Sequence, residues 1–163
     1  KMIEEAVNAS STEIEAAKAE AASRVEKEMK LTIERKVRAK VHASNSARID
    51  EIDKETKVYW RDKKNVVALI KKHFPDAPIM VKVCGGESGM KQWHDNGKVV
   101  RGIVDPDDTG LCQINKRYWG AEAKRLGLDF ENSIEDNVKM TRHIYDTQGI
   151  KAWVYYNNHL ASR

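Results

Sequence analysis

The chain has 163 residues and a mass of 18.6 kDa, which is enough for one domain of ordinary size and an appendage. Its mean hydropathy of −0.67 and the lack of any run of about 18 apolar residues exclude a membrane span in this sequence. Two cysteines are too few for a disulfide-dense scaffold, and the five histidines show no zinc-site spacing, so we expect no metal. The net charge of +4 is only a weak sign of a polyanionic partner.

Residues 1–74 form a first region, which contains neither glycine nor proline. They are rich in alanine, glutamate, lysine and arginine, which are strong helix formers, so we predict long helix. Ser10 with Glu13, and the polar cluster Ser44-Asn45-Ser46, are typical of helix caps. The sequence therefore predicts that this helix is divided into two or three pieces, one of them beginning near Ala47.

The apolar residues of this region make only a thin stripe. They are spaced like a heptad at first and then run at steps of four, at Ile3, Val7, Ile14, Ala17, Ala21, Val25, Met29, Ile33, Val37 and Val41. This pattern fits a weak coiled coil or a helix that needs a partner surface. We expect this helix to bind a protein partner or to self-associate. The alternatives are a solvated helix without a partner and attraction of the helix to an anionic surface. Acidic residues interrupt the lysines and arginines throughout, which argues against nucleic-acid binding.

The composition changes near Tyr59, where aromatic and branched apolar residues begin to predict a helix with a core-facing side. We therefore divide the chain into a charged helical arm, residues 1–58, and a compact domain, residues 59–163. A second helix of this domain is predicted with Asp76 as its cap. Turn signals at Asn96-Gly97 and again just before Gly110 predict a small antiparallel β element. The fold class is therefore α+β, mainly α.

Glu87 is the first candidate for chemistry. It follows Ile79 and Val83 at steps of four, which places all three on the inward face of the predicted helix. A carboxyl at the C-terminal end of a helix is partly desolvated and lacks the stabilisation of an N-terminus, so its pKa should rise. An acid that stays protonated near neutral pH suits general acid catalysis, whereas a solvated glutamate at a frayed helix end would be inert.

Five short motifs follow one another through the compact region. They are E-S-G at 87–89, D-x-G-L-x-Q-I-N at 108–115, L-G-L-D at 126–129, a segment from Asn132 to Val138 that ends in D-N-V, and G-I-K-A-W-V-Y-Y-N at 149–157. This combination resembles the soluble lytic transglycosylase domain of the lysozyme superfamily, over roughly residues 65–160. The second motif is also similar to the animal-type lysozymes. The resemblance implies a lysozyme-like fold with a glycan-binding cleft.

The resemblance also implies roles for particular residues. Glu87 matches the catalytic acid, Ser88 the serine that helps to position that carboxyl or the sugar, and Asp108 the second carboxylate of the animal-type lysozymes. The polar positions of the glycan cleft are matched by Gln113 and Asn115, and the late tyrosine–asparagine pair, whose tyrosine lies close to the acid, by Tyr156 and Asn157. The chain departs from the family at Asn158-His159, where a small residue and a glycine are usual.

Three further features keep alternatives open. Trp93 precedes the β element at a predicted cleft edge, where it could stack on a sugar or pack in the core, whereas Trp119 and Trp153 are predicted to be core residues. Cys84 and Cys112 could form a disulfide, because helix and β element must approach each other to form the cleft. Pairing is not readable from sequence, and Cys112 could equally be a small buried apolar residue.

The implied activity is cleavage of the β-1,4 bond between N-acetylmuramic acid and N-acetylglucosamine in peptidoglycan, without a metal or organic cofactor. The motifs favour a lytic transglycosylase, which forms 1,6-anhydro ends. The alternatives are a hydrolytic lysozyme that uses Glu87 and Asp108, and an inactive glycan-binding module. We expect the arm to dock the enzyme into a larger machine, such as a phage tail or a secretion apparatus. The expected location is accordingly the cell envelope or periplasm, or a phage virion.

Overall fold

A computed structural model describes the backbone of residues 2–161 and the side chains of residues 14–161. The chain divides into two units, Lys1–Ile52 and Asp53–Arg163. The predicted division between residues 58 and 59 lies a few residues further along the same helix. Within residues 2–161, no helix is both long enough and apolar enough to cross a membrane.

The first helix, α1, runs without interruption from Met2 to Tyr59. The predicted breaks near Ser10 and at Ser44-Asn45-Ser46 are therefore wrong. Serine and asparagine inside a helix cost only about 0.5 kcal/mol each relative to alanine, and without glycine or proline these small costs do not stop the helix. From Ile14 to Ile52 every side chain is exposed, including the apolar stripe, and ion pairs such as Lys18–Glu15 and Arg24–Glu20 link successive turns.

The second unit contains four shorter helices around one core. They are α2 (Lys63–His73), α3 (Met80–Ser88), α4 (Lys116–Arg125) and α5 (Ile134–Gln148), followed by a 3-10 turn at Ile150–Ala152 and a π-helical turn at Tyr156–Leu160. The core consists of buried apolar side chains from all four helices and the loops between them, among them Val66, Ile70, Phe74, Met80, Val83, Leu111, Val138, Met140 and Trp153.

Helix boundaries in this unit follow local hydrogen bonds. Asp62 caps α2 by accepting from the Lys64 backbone N–H at 2.8 Å, so α1 and α2 are separate where one helix was expected from Tyr59 onward. The prediction that Asp76 caps α3 is wrong: α3 begins at Met80 without a side-chain cap, and the Asp76 carboxylate accepts hydrogen bonds from Arg142.

The β element is small and antiparallel, as predicted. Strand β1 (Asp108–Thr109) pairs with β2 (Ile114–Asn115), and the register places Asp108 opposite Asn115. The Asn96-Gly97 turn is also present, although it joins only a single bridge between Trp93 and Val99. Mainly helical structure with one small antiparallel sheet and a long N-terminal helix confirms the predicted fold class.

Candidate active site

Glu87 lies in the last turn of α3, where its side chain is half-buried. Its apolar neighbour on the same face, Val83, is fully buried, whereas Ile79 at the start of that face is 36% exposed. One carboxylate oxygen of Glu87, Oε1, accepts a hydrogen bond of 3.1 Å from the backbone N–H of Tyr155. The carboxyl is therefore held in a defined orientation by the chain segment that follows α5.

The pKa of Glu87 is raised above its ordinary value, chiefly because burial disfavours the charged form. The hydrogen bond from Tyr155 works in the opposite direction, and the negative charge of Asp108 adds to the increase. The sequence predicted this direction from the position of Glu87 at a helix C-terminus. A carboxyl of this kind retains its proton to higher pH and can deliver it to a leaving group.

Asp108, the second carboxylate, is half-buried in β1. Its Oδ1 accepts a 2.8 Å hydrogen bond from the side-chain amide of Asn115, its cross-strand partner. The same amide donates to Asp105, while the side-chain oxygen of Asn115, Oδ1, caps α4 by accepting from the backbone N–H groups of Arg117 and Tyr118. Asn115 thereby fixes Asp108 to the start of α4, so the carboxylate does not rotate freely.

Both carboxyl groups line one cleft of about 520 Å³. Its wall is made by Glu87, Asp108, Gln113, Ile114, Asn115, Tyr118, Trp119, Ile144, Gln148, Ala152, Trp153 and Val154. Four of the predicted site residues are thus brought together from separate parts of the chain. Gln113 adopts a φ of +51°, a strained conformation for a residue with a side chain, and its amide donates to the Gly110 carbonyl at 2.8 Å.

A disulfide joins the helix of Glu87 to the loop between the strands. Cys84 and Cys112 are bonded, with their Cα atoms 4.4 Å apart, and both are fully buried. This outcome answers the question that the sequence left open. The Cys112 carbonyl also accepts a 3.0 Å hydrogen bond from the indole of Trp153, which confirms that Trp153 is a core residue. The bond and the indole together hold the loop against α3.

Two buried amides, which the sequence reasoning missed as site residues, fix the same loop. Gln92 accepts from the Leu111 N–H and donates to the carbonyls of Phe130 and Glu131, and Asn137 accepts from the Cys112 N–H. Both side chains press on Gly110, where an added Cβ would lie 2.5 Å from Gln92, and the φ of +74° also requires glycine. Only Asn137 carried a sequence signal for such a role, because it is a polar residue on an otherwise apolar face of its helix.

Ser88 lies beside Glu87 in sequence but does not line the cleft. Its hydroxyl donates to the Leu111 carbonyl at 2.6 Å and accepts from the Lys91 N–H at 3.1 Å. Its hydrogen bonds therefore join the end of α3 to the loop that follows β1. The contacts of Ser88 are structural, with no hydrogen bond to the Glu87 carboxyl among the described residues.

The tyrosine beside the acid is Tyr155, where the resemblance pointed to Tyr156. Besides its backbone bond to Glu87, the Tyr155 ring covers Gly86 so closely that an added Cβ there would lie 2.2 Å from the ring. Tyr156 packs against the core, and the Asn157 amide donates to the Lys151 carbonyl. Neither Tyr156 nor Asn157 lines the cleft.

Trp93 and Trp119 are both partly buried and pack against the core, and each also lines a cavity. Trp119, predicted to be a core residue, is half-buried, lines the cleft and meets the ring of His143 edge-on at 6.1 Å. Trp93, predicted at the cleft edge, lines a separate cavity instead. Trp119 thus offers the cleft an aromatic surface beside the two carboxyl groups. Among the residues that the structure describes, no cluster of three or more histidines, cysteines or carboxylates is arranged to hold a metal.

Comparison with known proteins finds lysozymes C among the relatives of this chain. The chain is 37% identical to lysozyme C of Nasalis larvatus over 67 residues, which are 34% of this chain and 45% of that relative. It is 30% identical to lysozyme C-1 of Sus scrofa over 90 residues, covering 45% of this chain and 68% of the relative. The chain belongs to the lysozyme superfamily. It spans about half the length of the first relatives it matches. No protein-family model and no solved structure matches it.

Proposed function

We propose that this protein cleaves the β-1,4 bond between N-acetylmuramic acid and N-acetylglucosamine in peptidoglycan, with Glu87 as the general acid. The observation that carries the proposal is the pair of carboxyl groups in one cleft. One of them, Glu87, is half-buried with a raised pKa, and the other, Asp108, is held by Asn115. Similarity to lysozyme C supports the choice of substrate.

The chemistry begins with transfer of the Glu87 proton to the glycosidic oxygen. The C–O bond to the muramic acid residue then breaks, and positive charge develops at its anomeric carbon. Asp108 supplies a negative charge in the same cleft that stabilises or attacks this centre. The Glu87 carboxylate that results takes a proton from the attacking group in the second step, which restores the acid.

The attacking group decides between hydrolysis and transglycosylation. In hydrolysis it is water, and the product is a reducing muramic acid end; in transglycosylation it is the sugar's own 6-hydroxyl, which gives a 1,6-anhydro end. We favour hydrolysis, because Asp108 lies in the cleft with Glu87 and is fixed by a dedicated hydrogen bond. The transglycosylase route is the second candidate, favoured by the E-S-G motif at Glu87 and the late W-x-x-Y-N motif.

The remaining polar and aromatic groups of the cleft are suited to hold the sugars. The Gln113 and Asn115 amides are half-buried along its wall, and Trp119 and Tyr118 provide ring surfaces. Aromatic faces pack against the C–H groups of sugar rings, while amides bond their hydroxyl and acetamido groups. Residues Ser88, Tyr156 and Asn157 act as supports in this proposal. A role for the arm in docking to a larger machine at the cell envelope or in a virion remains a prediction.

A zymogram on peptidoglycan tests the proposal. Wild type should clear the gel, Glu87→Gln should clear it about 10³-fold less because the acid is gone, and Glu135→Gln should match wild type. Glu135 is an exposed carboxyl in the first turn of α5, which makes the same change of charge a matched control. Binding of peptidoglycan by the wild-type protein with no clearing would contradict the enzymatic proposal and favour a glycan-binding module.

A further inference from the structure

A second cavity, of about 410 Å³, lies in the same unit as the cleft and shares no lining residue with it. We call it the tryptophan cavity. Three segments line it. They are Asp53, Lys54, Lys57 and Val58 at the end of α1; Trp60, Arg61 and Lys63 around the start of α2; and residues 90–97, which end in the Asn96-Gly97 turn. The proposed reaction uses none of these side chains.

Two indoles and two apolar side chains form the apolar part of the cavity lining. Trp60 and Trp93 are half-buried, so each ring is anchored against the core and still reaches solvent. The Lys57 ammonium lies over the Trp93 ring, 5.6 Å from its centre, in a cation–π contact. Val58, which is 54% exposed, and Met90 add apolar surface to the cavity lining. Anchored indole faces of this kind stack on planar or C–H-rich ligands such as sugar rings.

The charged residues that line the cavity favour an anionic ligand. Five lysines and arginines line the cavity against two aspartates. Lys57 is paired with Asp53 at 2.8 Å, and Arg61 donates to the Asp95 backbone carbonyl at 2.9 Å. The other three cations are Lys54, Lys63 and Lys91, and within the described part of the chain no carboxylate pairs with them. The cavity therefore combines two half-buried indoles with a net excess of positive charge in its lining.

We infer that the tryptophan cavity binds the acidic glycan strand of peptidoglycan at a point away from the bond that is cut. The choice of this glycan rests on the proposed function. The strand combines the two features that the cavity lining complements: sugar rings for Trp60 and Trp93, and the carboxylates of its peptide substituents for Lys63 and Lys91. A second attachment would keep the enzyme on an insoluble wall between successive cleavages, because two linked contacts dissociate more slowly than one.

Binding is tested with the full chain carrying Glu87→Gln, so that the ligand stays intact. Sedimentation with purified peptidoglycan free of attached polymers should show binding, and chitin, which has the same β-1,4 backbone without carboxylates, should bind more weakly. Adding Lys63→Glu and Lys91→Glu should weaken binding to peptidoglycan about tenfold, since two exposed charge contacts of this kind are lost. Lys71→Glu with Lys72→Glu, two exposed lysines of α2 outside the cavity, makes the same change of charge and should leave binding unchanged.

Kinetics of the otherwise wild-type chain separate the cavity from the cleft. Trp93→Ala should lower the rate on insoluble peptidoglycan several-fold and leave unchanged the rate on a short soluble oligosaccharide of alternating N-acetylmuramic acid and N-acetylglucosamine. Trp119→Ala, in the cleft, should lower both rates. Thermal unfolding checks that each variant is folded, and the exposed lysine variants keep the test valid if a tryptophan variant is not.

The outcomes separate the two proposals. Weaker binding with Lys63→Glu and Lys91→Glu supports the inference even if the wild-type protein cleaves nothing, in which case the proposed function alone fails. Equal binding by the cavity and control variants overturns the inference while leaving cleavage intact. Equal affinity of the wild-type cavity for chitin, or a preference for double-stranded DNA over peptidoglycan, also overturns it, because the acidic glycan would then not be the ligand.

Discussion

The candidate cleft around Glu87 and Asp108 and the tryptophan cavity belong to one unit, yet the charged residues that line them differ in sign. The cleft presents two carboxyl groups, one of them desolvated enough to raise its pKa, whereas the cavity presents exposed lysines beside half-buried indoles. Desolvation prepares an acid for proton transfer but is costly for the fold, while solvated lysines attract an anion at little cost. The difference fits the proposal that chemistry and attachment use separate surfaces.

Asp108→Asn should produce the largest effect that distinguishes the two regions. Loss of one charge that stabilises the transition state lowers kcat about 10²-fold, and binding at the tryptophan cavity should not change. Because the Asp108 charge also raises the pKa of Glu87, its removal lowers that pKa, and the alkaline limb of the kcat/KM profile moves to lower pH. The shift is small, since burial is the larger cause. An unchanged limb with unchanged kcat would remove Asp108 from the mechanism.

Removal of the disulfide should act on stability. Replacing Cys84 and Cys112 by alanine opens a loop of 28 residues and should lower the free energy of unfolding by about 3–4 kcal/mol, measured by urea denaturation. The bond joins the helix of Glu87 to the loop beside Asp108, so cleavage should decline more than peptidoglycan binding in a variant that is still folded. Equal losses of both would show that the bond supports the whole unit alike.

Gly86→Ala tests the contact between α3 and Tyr155. The new methyl group would overlap the Tyr155 ring, and displacement of that ring should cost about 1–3 kcal/mol of stability. The backbone donor to Glu87 would move with it, so the pKa of the acid should rise further. Gly120→Ala is the matched control, since an added Cβ there has no contact nearer than 3.7 Å. Equal free energies of unfolding for the two variants would show that the Tyr155 ring can move away from the new methyl group without loss of stability.

The smallest expected effect is a gain in stability from Glu87→Gln. A raised pKa means that the folded state disfavours the ionised form, so ionisation of Glu87 lowers stability as pH rises through that pKa. Near pH 4 the carboxyl is largely protonated in both states, and the two proteins should have similar Tm values. At pH 7 the glutamine variant should have the higher Tm. A difference in Tm that does not change with pH would contradict the assignment of Glu87 as a desolvated acid.

Much of the cleft was predictable because its signals are local. A step of four along one helix places Glu87 beside the core, and the spacing of the D-x-G-L-x-Q-I-N segment brings Asp108 opposite Asn115 in a two-stranded sheet. The helical nature of the arm followed from composition alone. Its continuity did not, because cap-like serines were given more weight than the absence of glycine and proline.

The remaining features depend on contacts between distant parts of the chain. Gln92 bonds to residues 19 to 39 positions away, and nothing in its neighbours indicates burial. Tyr155 and Tyr156 are adjacent and chemically alike, so only the turn that follows α5 determines which ring reaches Gly86. The sequence neighbours of Trp93 and Trp119 do not show which cavity each ring lines, and only packing assigns one to the tryptophan cavity and the other to the cleft.

Mass spectrometry of the fragments released from purified peptidoglycan tests the central claim most directly. The two-carboxylate cleft predicts reducing N-acetylmuramic acid ends, formed by the wild-type protein and lost with Glu87→Gln. Ends of the 1,6-anhydro type would contradict hydrolysis, assign the reaction to a transglycosylase and leave Asp108 as a structural residue of the turn.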